Sequence, residues 1–305
     1  MRIFLSGGGG LLGSHILDSL NSSGNDVFAP NRSNLDLLDR KATLEYLKAN
    51  RIDSVIHCAA TVGGILDNIS RPGDYILDNL SIDSSVLGSA LELGIPKLLY
   101  FGSSCMYPPG ATQPFKEIEI LSGKLEKTNE SYALSKIAGT KAVESISAQY
   151  SLEWKTLILS NIYGPRDNFS ENSSHLLAAI IRKVHLAKKE NSSHIEIWGD
   201  GSAKREFTYV EDVANYVVEK CLKQSSLPTC MNLGSQEEFS VLEYYIKVCD
   251  LFGYNPEFRF NPFVPSGMQS KLMDSSLARD FDWKPKYAID RGLMKTIEWF
   301  KSNDK

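Results

Sequence analysis

The sequence predicts an α/β fold, a doubly wound parallel sheet with helices on both faces and a smaller C-terminal lobe. Three observations predict it. Short apolar runs alternate with longer amphipathic ones through the first half of the chain, the mark of βαβ units. The first of these runs enters a glycine cluster that opens a helical pattern. The length, 305 residues, suits one large α/β unit with an added lobe and exceeds what a small stapled domain needs.

Taken in order, strand patterns lie at 2–6, 26–29, 54–58, 97–102 and 154–159, each a short apolar run. Helical periodicity fills the gaps at 11–20, 40–50, 75–93 and 129–150. The second half is less regular. It predicts a helix at 174–189, strands at 195–198 and 207–209, a helix at 211–222 and a strand at 230–233. Ser240 is a plausible N-cap for a helix reaching 252, and Gly253 stops it. Residues 255–267 are rich in Pro, Phe and Asn and predict a loop-built region. The expected division is a nucleotide-binding domain over 1–165, to which 206–235 returns, and a second lobe from 166–205 and 236–305.

Charge and composition narrow the function. Lys plus Arg is 33 and Asp plus Glu is 37, a net charge of -4, so the basic excess of a nucleic-acid binder is missing. No apolar run approaches a bilayer span, and the N-terminus lacks the pattern of a secretory signal. Five cysteines, an odd number without CxxC spacing, argue against a disulfide framework or a zinc site. The expectation is a cytoplasmic protein free of metal, membrane and nucleic acid.

Gly7, Gly10 and Gly13 have the spacing GxxGxxG between a strand and a helix. Gly7 can make the tight turn, Gly10 lets backbone approach a pyrophosphate, and Gly13 lets the helix sit close to the sheet. This predicts a Rossmann-type dinucleotide site. An acid at the end of the second strand would bond the ribose 2′-hydroxyl of NAD, yet that strand ends Val27-Phe28-Ala29-Pro30. Arg32 follows and offers a charge-assisted partner for a 2′-phosphate, so the expected cofactor is NADP(H). Asp36 and Leu37 are candidates to flank the adenine.

Tyr132 and Lys136 are four apart on a predicted helix and share a face. Ser103 and Ser104 follow a strand at its C-terminal end, where open α/β sheets place their sites. Such groups carry out carbonyl reduction: the phenol protonates the developing alkoxide, the ammonium supports the phenol and holds ribose, and the serine orients the carbonyl.

With these residues in place, the chain resembles the extended short-chain dehydrogenase/reductases, and within them the GDP-L-fucose synthase family of epimerase-reductases. The resemblance is carried by HCAATVGGI at 57–65, GSSCMYP at 102–108, SYALSKIAG at 131–139, NIYGPRDNF at 161–169, Ser174-His175 and WGDGSAKREF at 198–207. It implies that Ser103, Tyr132 and Lys136 are the reductase triad. It implies that Cys105 and His175 exchange protons at C3 and C5 of a 4-keto sugar, where the neighbouring ketone makes them acidic. Cys105 lies two residues past Ser103, so a continuing strand would point both to one face. The resemblance also implies that Leu11, Leu12, Ala59, Ala60, Asn161, Ile162 and His175 line the cofactor. It assigns Ser104, Asn161, Lys183, Trp198, Arg205 and Lys271 to a GDP-sugar, Arg205 as the diphosphate partner and Lys271 near the nucleotide. Relatives dimerise through the helix carrying Tyr132 and the one before it, so a homodimer is expected.

Departures lie around the substrate lobe. Val264-Pro265-Ser266-Gly267 replaces the usual KPDG, Ser270 stands where an arginine is usual, and Gly8-Gly9 where the family often carries His-Arg. These motivate a second expectation, a C4-reductase acting on a GDP-6-deoxy-4-keto-heptose without epimerisation. Two further readings are an NAD-dependent C4 epimerase or dehydratase and a cofactor-sensing binding protein. Cys105-Met106 stands where a dehydratase adds acids, and a sensor has no need of Ser103, Tyr132 and Lys136 together.

Overall fold

A computed structural model of the chain describes residues 1–171, 173–263 and 267–303. The main sheet is Rossmann-type, all parallel, and formed by β1 (Arg2–Ser6), β2 (Asp26–Phe28), β3 (Ser54–His57), β4 (Lys97–Ser103), β5 (Glu153–Leu159) and β9 (Cys230–Leu233). Its order is β2-β1-β3-β4-β5-β9. The winding therefore reverses at β1, and the crevice between the C-terminal ends of β1 and β3 is where a dinucleotide fits.

Strands buried on both faces must be apolar throughout, and Ile3, Phe4 and Leu5 are fully buried. One face is covered by α1 (Leu11–Asn21) and α7 (Val210–Tyr216), whose Leu12, Ile16, Leu20, Val213 and Ala214 join Leu157 and Leu233 in one core. The other face is covered by α2 (Arg40–Ala49), α4 (Pro72–Glu92) and α5 (Glu130–Tyr150), with Leu47, Val86, Val143 and Trp154 in a second core. Each such fully buried side chain stabilises the fold by about 1.5–3 kcal/mol relative to exposure. Trp154 satisfies its indole N–H by donating to the Ile95 carbonyl at 2.9 Å. A short α3 (Ile65–Ser70) precedes α4.

The C-terminal lobe has its own core around Tyr163, Ile181, Tyr209, Tyr244, Leu293 and Phe300. It is built from α6 (Leu176–Lys189), α8 (Val241–Phe252), α10 (Ile289–Asn303) and two small sheets, whereas the short α9 (Ser276–Arg279) returns to the main sheet, with Ala278 in the core beside Leu233. One sheet places β8 (Lys204–Tyr209) between β10 (Glu238–Ser240) and β6 (Asn161–Tyr163). The other pairs β7 (His194–Trp198) in parallel with β11 (Glu257–Asn261). The α8 boundaries follow their local code: Ser240 and Glu243 form a reciprocal capping box, and Gly253 ends the helix with φ 59°.

Several expectations need correcting. Residues 257–261 are a strand, because β7 supplies a partner some sixty residues away that local composition does not reveal. The three-residue strands β6 and β10 exist only as neighbours of β8. The helix expected over 211–222 ends regularly at Tyr216 and continues as a wider π-type turn through Val217–Cys221. Residues 264–266, where KPDG is replaced, lie outside the described residues.

Candidate active site

The glycine loop does three separate jobs. Gly7 has φ +70°, and a Cβ there would sit 2.7 Å from the Ala59 nitrogen, so β1 can turn beside β3 only with glycine. A Cβ on Gly13 would lie 2.1 Å from the Gly7 carbonyl oxygen, so α1 presses directly on the turn. At Gly10 the only neighbour of an added Cβ is the Gly7 oxygen at 3.4 Å, and at Gly9 nothing lies within 4 Å. That face of the loop is open. Gly10 is also the N-cap of α1, with no side chain capping the helix and no acid in its first turn. The N–H groups of Leu11, Leu12 and Gly13 thus face a region of positive dipole without a competing carboxylate, the arrangement a pyrophosphate needs.

Around this cradle, Ala59 donates its backbone N–H to Ser6 Oγ at 3.2 Å, and Ala60 is half-buried beside it. Arg32 is exposed on the loop after β2, and no acid occupies the β2 end. Asp36 is exposed and accepts the Leu38 N–H at 3.1 Å, while Leu37 packs partly against the core. Asn161 and Ile162 lie on β6, Asn161 donating to the Glu206 carbonyl at 3.1 Å.

The chemistry gathers at the end of β4. The strand ends at Ser103 and gives way to a tight helical turn, Ser104–Met106, so the continuing strand expected to align Ser103 with Cys105 is not formed. The turn brings them together differently, with the Cys105 N–H donating to Ser103 Oγ at 3.3 Å. Ser104 is buried. Tyr132 and Lys136 share one face of α5, with Ser103 close to Tyr132. Burial pushes the Tyr132 phenol well above its ordinary value, with Cys105 adding to the effect and the nearby Ser103 hydroxyl opposing it. The phenol therefore keeps its proton through the neutral range and is available as an acid. The Tyr75 ring meets Tyr132 edge-on at 6.2 Å, and Tyr75 is fixed by donating to Asp67 at 2.7 Å.

Cys105 receives the Asn129 side-chain N–H at 3.0 Å, and the Lys271 ammonium lies 3.7 Å from its sulfur. Lys271, assigned by resemblance to the nucleotide, therefore reaches the thiol. Arg205 is buried near Cys105 and donates to the Met268 carbonyl at 2.6 Å. His175 is the N-cap residue of α6 but does not cap it. The residue is half-buried, and desolvation disfavours the charged imidazole and lowers its pKa below 6.5. A neutral imidazole at pH 7 can accept a proton. Lys183 donates to the Glu196 carbonyl and lies 6.0 Å from the Trp198 ring. Trp198 is 44% exposed, so it is not part of the lobe core.

Asn129, Asp83 and Tyr100 were not legible as site residues. Asn129 stands three residues before Tyr132, a position open to notice once that tyrosine is assigned. Asp83 and Tyr100 carry no sequence signal beyond an acid and a phenol in otherwise buried stretches.

A glycine turn at the switch point, with a serine, tyrosine and lysine behind it, defines a Rossmann-fold oxidoreductase of the tyrosine–lysine type. The sequence pattern of the NAD dependent epimerase/dehydratase family matches residues 3–234. The chain is 38% identical to a GDP-L-colitose synthase of Yersinia pseudotuberculosis over 308 residues, covering 100% of both chains. It is 39% identical to a GDP-L-fucose synthase of Sinorhizobium fredii, covering 99% of this chain and 96% of that one. A solved GDP-mannoheptose C4 reductase from Campylobacter jejuni with NADP bound superposes with a TM-score of 0.87 at 30% identity, covering 98% of each chain. The chain belongs to the NAD dependent epimerase/dehydratase family, in its GDP-L-fucose synthase branch.

Proposed function

We propose that this chain reduces C4 of a GDP-linked 4-keto-6-deoxy sugar, hexose or heptose, with NADPH, and exchanges protons at C3 and C5 as GDP-L-fucose synthases do. It is an NADP-dependent oxidoreductase. The observation that carries the reading is the meeting of Ser103, Tyr132 and Cys105 at the end of β4.

NADP(H) supplies the hydride, and Gly7, Gly10 and the α1 N-terminus hold its pyrophosphate, with Arg32 available for the 2′-phosphate. Ser103 orients the C4 carbonyl oxygen. Tyr132 donates its proton to that oxygen as the alkoxide forms. Cys105 and His175 remove and return the protons at C3 and C5. Arg205 and Lys271 receive negative charge, Lys183 and Trp198 line the nucleotide side, and residues 166–205 and 236–305 form most of the sugar-holding lobe. Asn161, Ile162, Ala59 and Ala60 wall the cofactor. Among the described residues no helix is long and apolar enough to cross a membrane, and no cluster of His, Cys, Asp or Glu could hold a metal. Leu77 and Leu80 of α4 and Leu134 of α5 are exposed on packed neighbouring helices, which supports a homodimer through that face.

A specific observation favours the reductase-only reading as the alternative. Ser270, where an arginine is usual, lies 2.7 Å from both Gln113 and Glu238 and is thereby bound into the protein instead of reaching a ligand. A rim altered in this way can hold the sugar where Cys105 does not reach C3 or C5. Mixing the protein with NADPH and GDP-4-keto-6-deoxymannose, or the corresponding heptose, and following cofactor absorbance tests reduction. Deuterium uptake at C3 and C5 in heavy water without NADPH tests exchange. Oxidation of NADPH with no deuterium uptake establishes the reductase-only alternative, and no oxidation with either sugar refutes the function.

A further inference from the structure

Lys136 is only 4% exposed, and burial lowers its pKa. The proposed chemistry needs it as an ammonium. Its surroundings show what opposes the burial. The Lys136 Nζ lies 4.3 Å above the Tyr100 ring, and the Tyr100 hydroxyl donates to Asp83 Oδ2 at 2.7 Å. Asp83 Oδ1 lies 3.0 Å from His57 Nε2. A carboxylate only accepts, so that nitrogen carries a proton, and Nδ1 on the other side of the ring is hydrogen-bonded to Ser6 Oγ at 2.6 Å. Ser6 in turn accepts the Ala59 N–H at 3.2 Å, at the glycine turn. Ser6, His57, Asp83, Tyr100 and Lys136 are all buried. The backbone of α5 closes the group, since a Cβ on Gly139 would sit 2.2 Å from the Tyr100 hydroxyl and 2.6 Å from Asp83 Oδ2.

We propose that Asp83 is the buried counter-ion of Lys136, and that His57 and Ser6 tie this charge to the cofactor turn. Asp83 is thus a positioning residue for the proposed reduction, on which reading its kinetic consequence rests. The ionisable groups facing Lys136 are Asp83 from α4, Cys58 beyond β3 and Tyr100 from β4, and among these Asp83 is the carboxylate. Burial opposes ionisation of Asp83, but Lys136, His57 and Tyr100 outweigh it and hold the carboxyl below its ordinary value. An unpaired buried charge is strongly disfavoured, so neither member of the pair is expected to stay charged without the other.

The test reads Lys136 directly, without substrate. Protein carrying [13Cε]-lysine is titrated by NMR, the Lys136 signal being assigned by its loss in Lys136→Met. In the wild type that signal is expected to be an ammonium at neutral pH. In Asp83→Asn its midpoint falls by about one unit or more. Tyr100→Phe deletes a hydrogen bond at the same place but keeps the charge, and is expected to move the midpoint by less than about half that. A neutral amine in the wild type overturns the proposal, and needs no variant to fold. So does a folded Asp83→Asn with an unmoved midpoint, or an equal shift in Tyr100→Phe. Turnover is read separately. The alkaline limb of NADPH-dependent reduction should move to lower pH in Asp83→Asn, with kcat falling about tenfold at pH 8 and recovering toward pH 6. Absence of reductase activity in the wild type refutes the proposed function and leaves the NMR result standing.

Discussion

Glu206 offers a quantitative test of how the two lobes are joined. It is fully buried on β8. Its carboxylate accepts the Gln236 N–H at 2.8 Å and the Met273 N–H at 3.0 Å, so it holds both the chain after β9 and the segment carrying Lys271. Burial raises its pKa from 4.5 to about 7, the backbone donors opposing and Glu238 adding to the rise. Between those two values the unfolded chain releases this proton and the folded protein keeps it. The contribution to stability is therefore full below about 4.5 and is lost as pH rises through about 7. At 1.36 kcal/mol per unit, the full swing is about 3 kcal/mol, of which about 2–3 falls between pH 5 and 8. Glu206→Gln keeps the shape and removes the titration. Urea unfolding of both proteins from pH 5 to 8 should show the wild-type advantage shrinking by about 2–3 kcal/mol across that range. A constant difference between the two proteins would refute the reasoning, because it would mean that Glu206 has the same proton affinity folded and unfolded.

Three further outcomes are expected. Tyr132→Phe should lower kcat for ketone reduction by about 10²–10⁴-fold, measured by NADPH absorbance, with cofactor affinity changed little. Gly13→Ala drives a Cβ to 2.1 Å from the Gly7 oxygen. It should therefore lower the melting temperature, by the equivalent of about 1–3 kcal/mol, and abolish NADPH binding measured by fluorescence. Arg32→Ala should weaken NADPH about tenfold while leaving NADH affinity unchanged, because a single charge-assisted contact to the 2′-phosphate is removed. Equal loss for both cofactors would show that Arg32 does not read that phosphate.

Local patterns carried the reading of the first half well. The strand–glycine–helix unit and the α8 caps are short-range devices in which a residue type answers a backbone need within a few positions. Reading was weaker wherever an element depends on a distant partner. β11 looked like loop because Pro, Asn and Phe surround it, and its pairing with β7 is invisible to local periodicity. The turn at Ser104–Met106 is hidden in the sequence for a similar reason. An apolar strand followed by Ser-Ser-Cys does not announce its end, yet the chain must turn there for Ser103 to meet Tyr132.

The residue types of the reactive centre, and the register that puts Tyr132 and Lys136 on one helical face, are properties of the amino-acid order alone. So is the glycine spacing, since the turn after β1 admits no Cβ at Gly7 or Gly13. The surroundings of those groups are a different matter. Asp83, Tyr100 and His57 come from three separate elements and meet behind Lys136 only because β1, β3 and β4 lie side by side with α4 and α5 packed across them. Asn129 and Lys271, more than a hundred residues apart, converge on one sulfur in the same way. Charge and hydrogen bonding act through space, so the proton affinities that decide the chemistry arise from folding and not from sequence neighbours.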